Sequence, residues 1–196
     1  LDVVEKLLFS LSSKGIYDHL EGGISRYTVD EKWIVPHFEK MLYDNIQYVN
    51  LLNNYLTNKE NDYLKRKLRQ TIKFINSEFL VKNNMLGSAY DADSDGVEGK
   101  YYVWKYQELK EILGNQLETF KQKYQISEQG NFEGSNILVE NLDVDLSKDS
   151  NSSTFSPCPI KPDINTSDTV LGALSDIVSS NEHVRKRTNQ HSTKFK

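Results

Sequence analysis

Residues 15–52 combine side chains that can transfer protons with aromatic rings, and this combination is typical of a lined ligand pocket. An ordinary surface loop has few aromatic residues, and an ordinary core strand has few charges. Stacking rings beside hydrogen-bonding groups are what a small-molecule site requires. The polar and aromatic residues concerned are Asp18, His19, Arg26, Tyr27, Asp30, Trp33, His37, Glu39, Lys40, Tyr43, Asp44 and Asn45.

The apolar spacing after Pro36 predicts a helix over residues 37–56 that carries two of these groups on one face. On such a helix His37 and Asp44 lie on one stripe, about 10 Å apart along the axis. In the first turn the positive end of the helix dipole disfavours imidazolium, so His37 would be a neutral base. Capping or packing is the alternative role for His37. Asp44 and Asn45 are both poor helix formers, and we therefore predict that they serve a site.

The acidic segment DADSDG, at residues 91–96, supplies candidate partners for Asp44. It resembles the start of a calcium-binding loop, but that loop needs a bidentate glutamate at its twelfth position, which here is Tyr102. We therefore predict no metal site. Asp91 or Asp93 is predicted instead as the second carboxylate of an acid/base pair, as in glycoside hydrolysis. A solvated turn is the alternative, since Asp, Ser and Gly favour turns.

The segment GNFEG, at residues 130–134, is the third short motif. An aromatic side chain between two glycines suits a contact at the rim of a ligand site, which would make Phe132 a binding residue. A turn explains the same residues equally well.

Apolar periodicity predicts a mainly α-helical chain up to about residue 140. Besides the helix over residues 37–56, the pattern predicts a short strand over residues 101–104. From about residue 143 onward the composition turns polar, which predicts a linker and tail without a confident domain. The other predicted helices cover residues 1–14, about 60–79, 109–113 and 117–124.

Composition excludes several classes of protein. The chain has 196 residues, enough for one domain with a core, and a formal net charge of −4, which gives no reason to expect nucleic acid. No apolar run of about 18 residues or signal-peptide core occurs, so we expect no membrane partner and a cytoplasmic location. A single cysteine, Cys158, excludes an internal disulfide. The sequence begins at Leu1 with helical spacing, and we interpret it as a fragment of something longer.

Three segments resemble signatures of the spermatogenesis-associated protein 20 family and its bacterial relatives. The resemblance covers about the first 140 residues. The chain departs from the family pattern at Glu21 and Ile24, where a third glycine and a phenylalanine are expected. The segments occur in the family's order and are RYTVDEKWIVPHFEKMLYDN (residues 26–45), YDADSDGVEGKYYVW (residues 90–104) and GNFEGSNIL (residues 130–138).

The resemblance implies a fold. Full-length family members have an N-terminal thioredoxin-like domain followed by a large (α/α)6 toroid of helical hairpins, similar to N-acylglucosamine 2-epimerases and six-hairpin glycosidases. Residues 1–142 would form the first part of such a toroid, and residues 143–196 would be a tail outside it. The chain has no counterpart of the thioredoxin-like domain, so we expect no thiol redox function.

The resemblance and the residue types together predict a carbohydrate-active enzyme, either an epimerase or a glycosidase-like hydrolase, that binds a small-molecule carbohydrate and needs no cofactor. A non-catalytic carbohydrate-binding or scaffold module and a non-functional truncated remnant are the alternatives. The sequence predicts no oligomeric state. The predicted catalytic residues are His37, Asp44, Asp91 and Asp93. The predicted substrate-binding residues are Arg26, Tyr27, Trp33, Tyr43, Asn45, Trp104 and Phe132.

Overall fold

The computed structural model describes residues 2–80 and 85–142, and the prediction for residues 143–196 lies outside these ranges. The described chain is mainly α-helical, with short antiparallel strand pairs. Its α-helices are α1 (Asp2–Ser13), α2 (Leu42–Asn58), α3 (Asp62–Phe74), α4 (Tyr106–Leu113) and α5 (Leu117–Lys123). Its strands are β1 (Tyr27–Thr28), β2 (Pro36–His37), β3 (Lys40–Met41), β4 (Ala89–Tyr90), β5 (Asp93–Ser94) and β6 (Val97–Glu98), paired β1 with β2, β3 with β4 and β5 with β6.

Helices α2 and α3 form a hairpin across a short connection, and α1 packs against α3. The connection ends at Asn61, whose side chain accepts a hydrogen bond from the Leu64 N–H at 2.9 Å and so caps α3. The apolar faces of the three helices share one core, whose members include the fully buried Leu8, Leu52 and Leu64. The predicted pairing of two amphipathic helices in this region is confirmed.

A second core joins the two C-terminal helices to the segment that follows them. Leu113 and Phe120 pack there with Trp104 and Leu138. A short 3-10 turn at Gly114–Gln116 separates α4 from α5, and Gly114 itself has a positive φ of 49°. The two short helices predicted around residues 109–124 are therefore confirmed.

The predicted helix over residues 37–56 is wrong at its start, because α2 begins at Leu42. Residues 36–37 pair with β1, and residues 40–41 pair with β4, so this stretch is extended. Pairing with segments distant in sequence outweighs the helical spacing there. His37 consequently lies outside the helix, does not meet its dipole, and shares no helical stripe with Asp44.

The predicted strand over residues 101–104 is also wrong. Residues 101–102 lie in a turn that begins at Gly99 and in which the Tyr102 N–H donates to the Gly99 carbonyl oxygen at 2.8 Å. Gly99 adopts a positive φ of 70°, which reverses the chain before a strand can form. Trp104 makes a single antiparallel bridge to Asn136.

The acidic segment forms a tight hairpin. Strands β5 and β6 are joined by Asp95 and Gly96, whose φ angles of 54° and 76° are both positive. Two positive φ angles in a two-residue connection define a type I′ turn, for which Asp-Gly is a favoured sequence.

Within the described residues, no helix is long and apolar enough to cross a bilayer.

Candidate functional site

His37 lies on a partly exposed surface with an aromatic ring on one side and a carboxylate on the other. Its ring stacks on Tyr27 with the centroids 5.0 Å apart, because the two residues are opposite each other in the β1–β2 pair. Its Nδ1 atom lies 2.8 Å from Oε1 of Glu98. Since an ionised carboxylate only accepts hydrogen bonds, Nδ1 carries the proton and donates it. In the neutral imidazole, Nε2 is then the basic nitrogen.

A second ion pair lies beside this imidazole. Arg26 Nη1 donates to Glu39 Oε2 at 3.1 Å, and the same Glu39 oxygen lies 4.0 Å from His37 Nε2. We call the five residues Arg26, Tyr27, His37, Glu39 and Glu98 the His37 surface. Their exposed or half-buried side chains present an aromatic face, a cation and carboxylates side by side, as a polar ligand requires.

Asp44 lies at the edge of the His37 surface, in the first turn of α2. Its Oδ2 atom is buried and has no hydrogen-bond partner among the described residues. Burial raises the pKa of the Asp44 carboxyl above its ordinary value, and Arg26 opposes the rise while Glu39 adds to it. Neighbouring Tyr43 is 45% exposed. The charges of Arg26 and Glu39 thus connect Asp44 electrostatically to the predicted site, although no contact with His37 is seen.

Asp91 and Asp93 lie on the hairpin that carries Glu98. Asp91 Oδ1 accepts a hydrogen bond from the Asp93 backbone N–H at 3.2 Å, and Asp93 is opposite Glu98 in the strand pair. The described residues include no contact between either aspartate and His37. The carboxylate that reaches the imidazole is therefore Glu98 rather than Asp91 or Asp93.

Asn45 is fully buried and holds the backbone of residues 15–25, which contain Gly15, Gly22 and Gly23 and are called here the glycine-rich loop. Its Oδ1 accepts from the Ile24 N–H at 2.8 Å, and its Nδ2 donates to the carbonyl oxygens of Ile24 and Met41 at 3.1 and 2.8 Å. These bonds explain why a poor helix former stands in α2.

Trp33 lies in a turn closed by Asp30 and adopts a positive φ of 62°.

The other two predicted binding residues, Trp104 and Phe132, pack against core residues. Trp104 is 5% exposed and belongs to the C-terminal core. Phe132 packs edge-on against Phe38 with centroids 5.9 Å apart, and its backbone exchanges two hydrogen bonds with Ser135. Residues 130–134 therefore form a turn. The structure does not bring Trp33, Asn45, Trp104 and Phe132 together with the His37 surface.

A separate cavity of about 50 Å3 lies between the glycine-rich loop and the turn after Gly99. We call it the Glu21 cavity. Its polar lining residues are Asp18, His19, Glu21 and Ser25. Aromatic rings form much of the remaining wall, which includes Tyr17, Phe38, Tyr101, Tyr102 and Trp104.

The two carboxyl groups of this cavity have different environments. Burial alone would raise the pKa of Asp18, but Lys40, whose Nζ is 2.7 Å from Oδ2, and two backbone N–H groups lower it below its ordinary value. Glu21 accepts a hydrogen bond from the Tyr101 hydroxyl at 2.5 Å. Burial, together with the nearby charge of Asp18, raises the pKa of Glu21 to about 7. At neutral pH, Asp18 is therefore ionised and Glu21 is close to half-protonated.

His19 belongs to a buried charge network behind the cavity. Its Nε2 donates to the Lys14 carbonyl oxygen at 3.1 Å, and its Nδ1 accepts from Lys67 at 3.1 Å. Burial, followed by the charge of Lys67, lowers the pKa of His19, so the ring is neutral at pH 7. Lys67 in turn pairs with Glu140 at 2.8 Å.

Sequence reasoning missed three groups that the tertiary structure places at these sites. Glu98 is 61 residues from His37 along the chain, and no local pattern relates the two. Glu21 and Tyr101 meet across 80 residues. The available signal was that Glu21 precedes two glycines, at a position where the sequence departs from the pattern of the family it resembles. Within the described residues, no group of three or more His, Cys, Asp or Glu side chains is placed to hold a metal ion.

Comparison with known proteins gives relatives of much greater length. An uncharacterised protein of Caenorhabditis elegans is 33% identical over 122 residues, which cover 58% of this chain and 17% of the worm protein. Spermatogenesis-associated protein 20 of Homo sapiens and of Mus musculus are each 31% identical over 109 residues, covering 53% of this chain and 14% of theirs. No protein-family model matches the chain.

The matched segments thus span about one sixth or less of each curated relative. The family predicted from the three motifs is nevertheless confirmed by name in the human and mouse proteins. Over about half of its length, the chain is therefore a relative of spermatogenesis-associated protein 20.

Proposed function

We propose that the His37 surface is part of a carbohydrate site at which His37 transfers a proton to or from the sugar. The observation that carries this proposal is the 2.8 Å hydrogen bond between His37 Nδ1 and Glu98 Oε1. A histidine held by a carboxylate in this way has a defined tautomer and ring orientation. Both are requirements for a general base.

The geometry favours proton abstraction from carbon, as in epimerisation, over hydrolysis. With Nδ1–H donated to Glu98, Nε2 can remove a proton next to a sugar carbonyl and return it. The Glu98 carboxylate stabilises the imidazolium formed in between. Hydrolysis requires two carboxyl groups on opposite sides of the scissile bond. The carboxylates that approach the imidazole are instead those of Glu98 and Glu39, and Glu39 is already paired with Arg26.

The remaining groups of the surface suit a sugar. The exposed ring of Tyr27 offers a face for stacking against the apolar side of a pyranose. Arg26 and Glu39 offer donors and acceptors for hydroxyl groups. Asp44 adds a carboxyl group at the edge, on which the charges of Arg26 and Glu39 act. The proposal extends to the fold. The α2–α3 hairpin would be one repeating unit of the predicted first part of an (α/α)6 toroid.

Exchange of the sugar's C2 proton for deuterium from the solvent tests the reaction directly. The full chain would be incubated in D2O with a panel of aldoses, ketoses and N-acylated amino sugars, and loss of the C2 proton signal would be followed by NMR. Binding would be measured separately by saturation transfer. We expect His37→Gln to lower the exchange rate by about 100-fold or more while binding persists. Glu98→Gln is expected to lower it less.

The control is Asp62→Asn, an exposed carboxylate at the start of α3, which should leave both measurements unchanged. If the parent chain binds a sugar and His37→Gln leaves every proton exchange rate unchanged, the surface is a non-catalytic binding module. If no sugar of the panel produces saturation transfer with the parent chain, the carbohydrate assignment is wrong.

A further inference from the structure

We propose that the Glu21 cavity is a binding site for the ammonium group of a small primary amine. The site is distinct from the His37 surface, and none of the five residues of that surface lines it. Its volume of about 50 Å3 admits a group of a few non-hydrogen atoms, such as the terminal –CH2–NH3+ of an amine.

The charge of the cavity wall favours a cation. Asp18 and Glu21 line the cavity, whereas no lysine or arginine does. The nearest ammonium, Lys40, is 1% exposed and is occupied by Asp18 Oδ2 and the Gly22 carbonyl oxygen at 2.7 and 3.0 Å. His19 adds no charge because its ring is neutral. With Glu21 ionised, the sum over Asp18, Lys40 and Glu21 is −1, which a monovalent ammonium balances.

Ser25 supplies an independent observation. Its side chain lines the cavity and the residue is only 4% exposed. Its hydroxyl is not one of the fully buried side-chain groups that lack a partner among the described residues, so it is free to exchange a hydrogen bond with a molecule in the cavity. A ligand N–H donor in the cavity would satisfy the Ser25 oxygen and the Glu21 carboxylate together.

The aromatic wall is suited to the same ligand. Tyrosine, phenylalanine and tryptophan rings attract an ammonium group over their faces within about 6 Å. The chain already binds its own ammonium groups in this way. Lys40 Nζ lies 4.3 Å from the Phe74 centroid and 4.9 Å from that of Tyr102, and Lys67 Nζ lies 4.3 Å from that of Tyr17. Tyr17 and Tyr102 also line the cavity.

Binding should depend on pH through Glu21. The groups that act on it are Asp18, Tyr101, Lys40 and Glu78. With its pKa raised to about 7, Glu21 still holds a proton in mildly acidic solution, and a bound ammonium would displace that proton. Amine affinity is therefore expected to rise between about pH 5.5 and pH 8 and then level off.

The test uses the full chain and methylammonium chloride, with methanol as the neutral probe of similar size and sodium chloride as the matched salt. Amide NMR shifts would be followed at Gly22, Gly23, Ser25 and Tyr101. We expect saturable shifts at these residues with methylammonium and none of comparable affinity with methanol. Glu21→Gln should weaken methylammonium binding by about tenfold or more.

Glu118→Gln, an exposed glutamate on α5, is the matched control and should leave the affinity unchanged. If Glu21→Gln fails to give a folded amide spectrum, Ser25→Ala takes its place, with an expected loss of about threefold or more. Equal saturation by methanol would overturn the proposal. The proposal would also be overturned if neither Glu21→Gln nor Ser25→Ala reduced the affinity for methylammonium, because the ion would then be binding to surface carboxylates. Neither result bears on the sugar exchange assigned to His37.

Discussion

The Glu140 carboxylate lies 2.8 Å from the Lys67 ammonium, and both side chains are at most 3% exposed. His19, Arg66 and Lys123 approach the same carboxylate at 3.5, 3.6 and 3.9 Å, and the Tyr63 hydroxyl donates to it at 3.0 Å. Burial alone would raise the pKa of Glu140, but the Lys67 ammonium holds it well below its ordinary value. This carboxylate therefore anchors the end of the described chain to α3 and to the glycine-rich loop.

Glu140→Gln is expected to lower the free energy of unfolding by about 3–5 kcal/mol, because it leaves a buried ammonium without its counterion. Urea denaturation at neutral pH measures the change. Glu118→Gln removes an ion pair to Lys121 on the surface and should change the free energy by at most about 0.5 kcal/mol. Equal effects of the two substitutions would show that the buried network contributes no stability.

Glu21→Gln should change how stability depends on pH. The folded pKa of Glu21, about 7, is raised above the ordinary value of 4.5, so the folded state holds the proton more tightly than the unfolded state. Its stabilising contribution is complete below pH 4.5 and is lost as the pH rises to about 7, a loss on the order of 3 kcal/mol. The variant should therefore be more stable than the parent at about pH 8 and lack this decline.

Denaturation curves of both proteins at several pH values check this expectation. The informative quantity is the difference between the two free energies at each pH, since all other titrating groups cancel from it. A difference that stays constant from about pH 4.5 to pH 8 would contradict the raised pKa of Glu21.

Asn45→Ala should destabilise the fold by about 2–4 kcal/mol, because it leaves the buried backbone groups of Ile24 and the Met41 carbonyl without their side-chain partner. Asn53→Ala on the exposed side of the same helix is the control. It should be neutral or slightly stabilising, since alanine is the better helix former. Thermal or urea denaturation distinguishes a structural Asn45 from one that only contacts ligand.

Gly99→Ala should destabilise the chain more than Gly96→Ala. Both glycines have positive φ angles, 70° and 76°, so both substitutions strain the backbone by about 1 kcal/mol. A methyl group at residue 99 would also overlap the ring of Phe38, whereas one at residue 96 meets no atom within 4 Å. We expect an additional loss of about 1–3 kcal/mol at Gly99. Equal losses in urea denaturation would mean that Phe38 moves aside freely.

Local features of the sequence were sufficient to predict several elements. The 3.6-residue spacing located the α2–α3 pair and the two short C-terminal helices, because each helix needs one apolar face and its hydrogen bonds are local. The Asp95-Gly96 pair indicated a turn, since few residue types tolerate positive φ. The three motifs identified the family that the human and mouse relatives confirm by name.

The sequence by itself thus determined the helical segments, the acidic turn and the relationship to spermatogenesis-associated protein 20. Tertiary structure decided where the reactive groups lie. His37 is extended because β2 pairs with β1, its carboxylate partner Glu98 comes from a distant hairpin, and the Tyr101 hydroxyl that contacts Glu21 lies 80 residues away. The physical reason is that helix periodicity is a property of neighbours in the chain. Strand pairing, burial and the pKa values that follow from burial depend on which distant segments pack together.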